Sequence, residues 1–229
     1  MRNNFKYVLL VIAFVSLANS LFAQNSKVGN WFMYFGNQKI NSKFNWYNEV
    51  QYRNYNFIGA QSQLLIRTGI GYNLSENNNN ILIGYGFIET KTYTASDLKE
   101  DKIIKNEHRI YQQFITKQHF NNFYIQHRYR IEERFLADDF KMRFRYFLGI
   151  NKPINKKTME KNAIYLSVYN EIFLNDEKPT FDRNRLYAAI GYCINKNIKI
   201  ETGYMVQMLE SNRAKQFQIA VFNNTPFHK

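Results

Sequence analysis

The sequence is poor in cysteine, proline and glycine, with one, three and ten of them in 229 residues. The single cysteine, Cys193, cannot form a disulfide within the chain, which excludes a fold held together by internal disulfides. The chain contains 20 Phe and 17 Tyr. Because aromatic residues are enriched in strands and scarce in disordered segments, this composition argues against disorder and favours a β-fold. Closure of a sheet can supply the stability that disulfides do not.

The mean hydropathy is also low, at −0.49, which is unusual for a protein with helical membrane spans. The apolar run Tyr7–Ala18 is too short to cross a bilayer as a helix. Because positively charged residues begin the chain and the small residue Ala23 follows the run, we predict that residues 1–23 are a signal peptide. Cleavage after Ser20 is the alternative. Residues 24–229 then form the exported domain.

Acidic residues are outnumbered, since 18 Asp and Glu stand against 31 Lys and Arg, for a net charge of +13. Without Arg2 and Lys6 of the signal peptide, the charge is +11. Such a charge is typical of nucleic-acid-binding proteins. We predict no nucleic-acid partner, because the signal peptide exports the chain and no recognition module is present. Lipid phosphates and lipopolysaccharide are the expected partners of a basic exported surface.

Alternation with a period of two is clearest between Phe123 and Phe135. One set of alternate residues is mostly apolar and comprises Phe123, Ile125, His127, Tyr129, Ile131, Glu133 and Phe135. The other set is polar and comprises Tyr124, Gln126, Arg128, Arg130, Glu132 and Arg134. A period of two predicts a strand whose side chains point alternately to opposite faces. A closed sheet with its apolar face toward lipid and its arginine face toward the interior suits both sets.

The same alternation recurs along the chain and predicts a closed antiparallel up-and-down transmembrane β-barrel of 10–12 strands. The eleven candidates are Val28–Ile40, Phe44–Asn54, Gln63–Leu74, Ile81–Thr90, Asn106–Lys117, Phe123–Phe135, Lys141–Ile150, Ala163–Phe173, Arg183–Ile194, Ile198–Met208 and Gln216–Phe222. An odd number is unusual for a single-chain bacterial barrel, so we expect that the first candidate does not span or that one strand is missing from the series. The longest connection is expected at Tyr93–Lys105, on the exterior side, and tight turns rich in Asn and Lys on the periplasmic side.

Alternation also predicts which side chains line the interior. The candidates for binding or transport are Arg53, Arg67, Arg109, Arg128, Arg130, Glu132, Arg134, Arg143, Arg145, Glu171, Arg183 and Arg185, with Glu49, Glu107 and Glu201 as further carboxylates. Guanidinium groups can pair with carboxylates and stack on aromatic rings, for which Tyr111, Tyr165 and Tyr187 are the candidates. Two interpretations stay open: an ion-paired plug that fills a narrow barrel, and a pore or pocket that favours anions. A barrel of 10–12 strands lies between a filled one and an open channel, so size does not decide between them.

Two other functions compete with a structural or solute-passing barrel. A lipid hydrolase of the outer membrane would need a nucleophile beside a histidine, and the candidates are Ser167 and His127. A soluble periplasmic barrel that binds a hydrophobic ligand would have the two faces inverted. We predict no enzyme activity, no metal site and no cofactor, because the sequence shows neither metal-ligand spacing nor a glycine-rich phosphate loop.

The chain resembles an outer-membrane barrel family of Bacteroidota known as domain of unknown function 2490. The resemblance lies in the signal end Phe22-Ala23-Gln24, turns such as Asn195-Lys196-Asn197, and the arginine-rich strands at residues 127–135 and 143–146. It covers nearly the whole mature chain. The resemblance implies an outer-membrane barrel without an assigned activity, with membrane lipid and the barrel-assembly machinery as its partners.

Overall fold

A computed structural model describes residues 28–57, 59–75, 78–94 and 102–227. The predicted signal peptide, residues 1–23, lies outside the described residues. The described chain folds into eleven strands. They are β1 (Gly29–Lys39), β2 (Phe44–Asn54), β3 (Gln61–Asn73), β4 (Asn79–Tyr93), β5 (Lys102–Phe120), β6 (Phe123–Leu136), β7 (Asp139–Pro153), β8 (Ile164–Asn175), β9 (Phe181–Cys193), β10 (Ile198–Leu209) and β11 (Arg213–Asn223). The predicted closed all-β barrel is confirmed.

The barrel closes through a parallel pair, not an antiparallel one. Each strand pairs antiparallel with the next along the chain, and β1 pairs with β11 in parallel, from Gly29 opposite Gln216 to Gly36 opposite Asn223. An odd number of up-and-down strands brings the first and last strands together in the same direction. The expectation that β1 does not span, or that one strand is missing, is therefore wrong. The start of β1 and the end of β11 lie at opposite ends of the barrel.

The two ends of the barrel differ in charge. The connections 40–43, 74–78, 121–122, 154–163 and 194–197 carry five Lys and two Glu, and we call their side the basic end. The connections 55–60, 94–101, 137–138, 176–180 and 210–212 carry seven Asp or Glu and two Lys, and we call their side the acidic end.

The prediction of the longest connection is wrong. Five of the thirteen residues of Tyr93–Lys105 are in strands, since β4 runs to Tyr93 and β5 begins at Lys102, and residues 95–101 lie outside the described residues. The longest connection between strands is instead 154–163, at the basic end. The two sets of connections still differ in composition. The longest connection, however, lies at the basic end and not in the acidic set, where it was predicted.

Apolar side chains point outward from the wall. Ile83 is 60% exposed, Leu186 55% and Tyr129 50%, and each alternates along its strand with residues that face the interior. The inward set contains the charged residues, and Glu132 and Arg130 are at most 2% exposed. The inverted barrel, with Phe, Ile and Tyr packed inside and arginines in water, is therefore excluded. No helix in the described part of the chain is long and apolar enough to span a membrane.

Glycine makes room for aromatic rings on the inner wall. A Cβ atom at Gly84 would collide with the ring of Tyr111 and approach the Thr68 carbonyl oxygen at 2.6 Å. Tyr111 is fully buried. The absence of a side chain at Gly84 therefore makes room for the Tyr111 ring.

Candidate functional site

The barrel interior contains a cavity of about 780 Å³. Asn45 and Lys117 line it near the basic end, and Gln63 and Arg183 line it near the acidic end. The same cavity therefore reaches residues from both ends of the strands. The charged inner wall surrounds it.

The structure places all twelve predicted candidate residues on the inner face. Nine are buried, and Arg128, Arg134 and Arg183 are partly exposed. Ion pairs or hydrogen bonds within the interior hold every one of them. The alternation in the sequence brings these residues together because all of them project from one face of a closed sheet.

Glu132 is the centre of the densest group of charges. Its side chain is 0% exposed and lies within 4 Å of five guanidinium groups. These belong to Arg67 (3.6 Å), Arg109 (3.6 Å), Arg130 (3.5 Å), Arg143 (2.5 Å) and Arg145 (2.5 Å). We call Glu132 and these five arginines the Glu132 cluster. One carboxylate thus pulls together side chains from four strands, β3, β5, β6 and β7.

Other carboxylates surround the Glu132 cluster. Glu171 accepts hydrogen bonds from Arg128 at 2.7 Å and from Arg145 at 2.6 Å. Glu107 accepts from Arg109 and Arg134 at 2.7 and 2.6 Å. Each of these carboxylates accepts hydrogen bonds from two guanidinium groups, so two arginines share one negative charge.

The interior has twice as many arginines as carboxylates that neutralise them. The ten candidate arginines have five acidic partners within 4 Å in the described part of the chain. These partners are Glu49, Glu107, Glu132, Glu171 and Asp182. Glu201 is also buried and lines the cavity, so the interior has ten arginines and six carboxylates, and its net charge is positive.

Arg53 and Arg185 are held differently from the other arginines. Among the described residues, no carboxylate lies within 4 Å of Arg53, and the acidic neighbour of Arg185 is Glu171 at 3.8 Å. Both guanidinium groups lie over the ring of Trp31, at 3.7 and 5.1 Å from its centroid. We call these two arginines and Trp31 the Trp31 site.

The aromatic partners of the arginines differ in part from the prediction. Arg130 stacks over Tyr111 at 4.6 Å, as predicted. Tyr165 has Lys199 over its ring, and Tyr187 packs in an apolar cluster with Trp31, so neither is shown to carry an arginine. Sequence reasoning also missed Phe173, which lies 4.4 Å from Arg145 and 4.6 Å from Arg185. Alternation places Phe173 on the inward face at the end of the predicted strand Ala163–Phe173, and this was the signal that could have identified it.

The hydrolase candidates are not brought together. Ser167 is buried in the interior on β8, whereas His127 on β6 bonds the hydroxyl of Tyr146 through Nδ1 at 2.9 Å. Strand β7 separates them. In the described ranges, no group of three or more His, Cys, Asp or Glu is placed to hold a metal ion.

Comparison with known proteins gives a family and no activity. No curated protein and no solved structure matches the chain. The family described as "Protein of unknown function (DUF2490)" matches residues 28–218, which run from the start of the barrel into its last strand. This match covers most of the chain, and the protein therefore belongs to the DUF2490 family.

Proposed function

We propose that the protein is an outer-membrane barrel whose interior binds and passes small anions. The observation that carries this proposal is the net positive charge of the interior, where ten arginines stand against six carboxylates, Glu49, Glu107, Glu132, Glu171, Asp182 and Glu201, beside one cavity. Guanidinium groups stay charged at all physiological pH values and match the geometry of carboxylate and phosphate. A surplus of them in a low-dielectric interior attracts anions and repels cations.

The outer wall supports a membrane location. Its alternate residues are bulky and apolar, and many are 40–60% exposed, as Ile83 and Phe144 are. A contiguous apolar surface of this extent is uncommon on a soluble monomer. Every strand has at least eleven residues, and about 9–11 residues tilted by about 45° cross a bilayer. The predicted partners, outer-membrane lipid and lipopolysaccharide, would contact this wall.

The interior dimensions suit small solutes. Side chains just fill a barrel of about eight strands, and barrels of about sixteen strands leave a wide channel. This eleven-stranded barrel keeps a cavity of about 780 Å³ beside the Glu132 cluster. A solute that passes must fit past ion-paired side chains, which restricts passage to small anions.

A purely structural barrel is the second candidate function. It is favoured by the Glu132 carboxylate, which has 0% exposure and is enclosed by five arginines. Such a cluster also serves as a plug that ties opposite parts of the wall together. The anion-passing barrel and the structural barrel differ in whether ions cross the folded protein.

Planar-bilayer recording of the purified protein tests the proposal. With a salt gradient of potassium chloride across the membrane, we expect current that reverses close to the equilibrium potential of chloride. Reversal close to the equilibrium potential of potassium would contradict anion passage. Absence of current would reject passage and favour the purely structural barrel. Fractionation of cell envelopes tests the location. We expect the protein in the outer-membrane fraction, with faster gel migration before heating than after it.

A further inference from the structure

We propose that the Trp31 site binds the oxyanion group, a carboxylate or a phosphate, of a small solute. This inference rests on the proposed function, since it names where in the interior an anion is held and by which chemistry. The site consists of Arg53, Arg185 and Trp31 and lies near the acidic end of the barrel.

The first support is the way in which the two guanidinium groups are oriented. Arg53 donates from Nε and Nη2 to Oε1 of Gln51, at 3.0 and 2.5 Å, and from Nη1 to Oε1 of Gln63 at 2.6 Å. Arg185 donates from Nε to Oε1 of Gln207 at 2.9 Å. An amide oxygen fixes the direction of a guanidinium group but carries no charge that neutralises it. The two arginines are thus held in position with their positive charge largely uncompensated.

The second support is burial. Arg53 is 9% exposed and Arg185 is 7% exposed. Removing a cation from water is unfavourable unless an opposite charge compensates it. The ring of Trp31 offsets part of this cost through its electron-rich face. An anion beside the guanidinium groups would offset the remainder.

The third support is spacing. The Cζ atoms lie 3.7 and 5.1 Å from the same ring centroid, so they are at most 8.8 Å apart. Each guanidinium group keeps N–H groups on Nη1 or Nη2 that the hydrogen bonds to glutamine do not use, and guanidinium N–H groups pair with planar or tetrahedral oxyanions. Because both groups lie beside one ring, an anion bound at either of them is also attracted by the charge of the other. Because the ring of Trp31 is itself 6% exposed, the oxyanion group and not an apolar ring of the solute defines the ligand.

The fourth support is access. Arg53, Arg185 and Trp31 all line the cavity that reaches both ends of the barrel. A solute in the cavity therefore meets these groups directly. The neighbouring Arg183 also lines the cavity, but it donates to both oxygens of Asp182, at 3.1 and 2.9 Å, and its charge is matched.

Tryptophan fluorescence can report on the site because the chain has two tryptophans. Trp46 lies on the outer wall, where it donates to Thr68 and stacks with Phe227. In a Trp46→Phe background, the emission therefore comes from Trp31, beneath the two arginines. The purified barrel in detergent is titrated with sodium phosphate, sodium acetate and sodium chloride at constant ionic strength.

We expect a saturable change in Trp31 emission with phosphate or with acetate, at lower concentration than with chloride. Saturation by one and not the other identifies the oxyanion as phosphate or carboxylate. Arg53→Gln and Arg185→Gln should each weaken the apparent affinity at least tenfold. Arg183→Gln is the matched control, since it removes one positive charge from the same end, and it should change the affinity less than twofold.

Two results would overturn the inference: absence of a saturable change in emission, or equal weakening by all three substitutions. Heat-modifiable migration on a gel verifies that each variant is folded. If a glutamine variant does not fold, Arg53→Lys keeps the charge but loses the planar fork, and it should still weaken binding. A saturable signal without bilayer current would retain the site and reject passage, whereas anion current without a signal would retain passage and reject the site.

Discussion

The Glu132 cluster and the Trp31 site use the same side chain in two environments. In the Glu132 cluster, one buried carboxylate lies within 4 Å of five guanidinium groups. At the Trp31 site, amide oxygens of Gln51, Gln63 and Gln207 hold two guanidinium groups. The difference teaches that the partner of an arginine, rather than its burial, decides whether its charge joins strands through a carboxylate or stays without one.

The largest effect is expected from Glu132→Gln. The substitution keeps the shape of the side chain but leaves five arginines without their shared negative charge. Removing one partner of a buried ion pair costs about 3–5 kcal/mol, so we expect a decrease of that size in the free energy of unfolding. Urea unfolding of the barrel, followed by the loss of heat-modifiable migration, measures it.

Glu133→Gln is the matched control for that experiment. Glu133 is the next residue along β6, points to the outer wall and accepts a hydrogen bond from Gln112 at 3.1 Å. We expect a loss below about 1 kcal/mol, because a neutral amide can replace this acceptor. Equal losses for the two variants would contradict a special role for Glu132.

A smaller effect is expected where the wall supports the Glu132 cluster. Gly84→Ala places a Cβ atom against the ring of Tyr111, over which Arg130 stacks. Overpacking a filled interior costs about 1–3 kcal/mol, and we expect a loss in that range in the same urea measurement. Gly86→Ala is the control, because its closest contact, Cγ of Arg67 at 3.0 Å, is farther away than the Tyr111 ring is at Gly84. A Gly86→Ala variant that is the less stable of the two would show that the Tyr111 ring is not tightly held.

The sequence predicted the wall and most of the interior because both depend on alternation within single strands. The bounds of β2 were predicted as the structure has them, from Phe44 to Asn54. Every predicted arginine faces inward because a period of two fixes the side of the sheet. A one-residue error in the alternation of a strand would have placed all the arginines of that strand outside.

Contacts between distant strands could not be predicted in the same way. Arg185 on β9 reaches Trp31 on β1 only because the barrel closes in parallel between β1 and β11. Alternation within a strand contains no information on which strand lies across that seam. The inward glutamines were not among the candidate residues for a related reason, since a neutral amide becomes noteworthy only when an arginine is known to lie beside it.

Gln207→Glu would give Arg185 of the Trp31 site a carboxylate partner, as the arginines of the Glu132 cluster have. The new carboxylate would accept the hydrogen bond of Arg185 and neutralise it, as Glu171 neutralises Arg145. A hydrogen bond between charged groups is stronger than one to a neutral amide, so we expect the free energy of unfolding to rise by about 1 kcal/mol. In the Trp46→Phe background, oxyanion binding should weaken at least fivefold. A variant that gains stability and binds as before would show that the charge of Arg185 is not what the ligand uses.

The smallest effect is expected from Arg134→Gln, which tests whether the number of carboxylates or the number of arginines limits the stability of the interior. Glu107 accepts from Arg134 at 2.6 Å, but it also accepts from Arg109 at 2.7 and 2.9 Å. Because Arg109 remains, we expect a loss below about 1 kcal/mol. Glu107→Gln removes the carboxylate that Arg134 pairs with and leaves Arg109 with Glu132 at 3.6 Å, so it should cost about 1–3 kcal/mol. Urea unfolding of both variants makes the comparison. A larger loss for Arg134→Gln than for Glu107→Gln would mean that the arginines limit the stability of the interior, and the surplus of positive charge would then not be free to attract an anion.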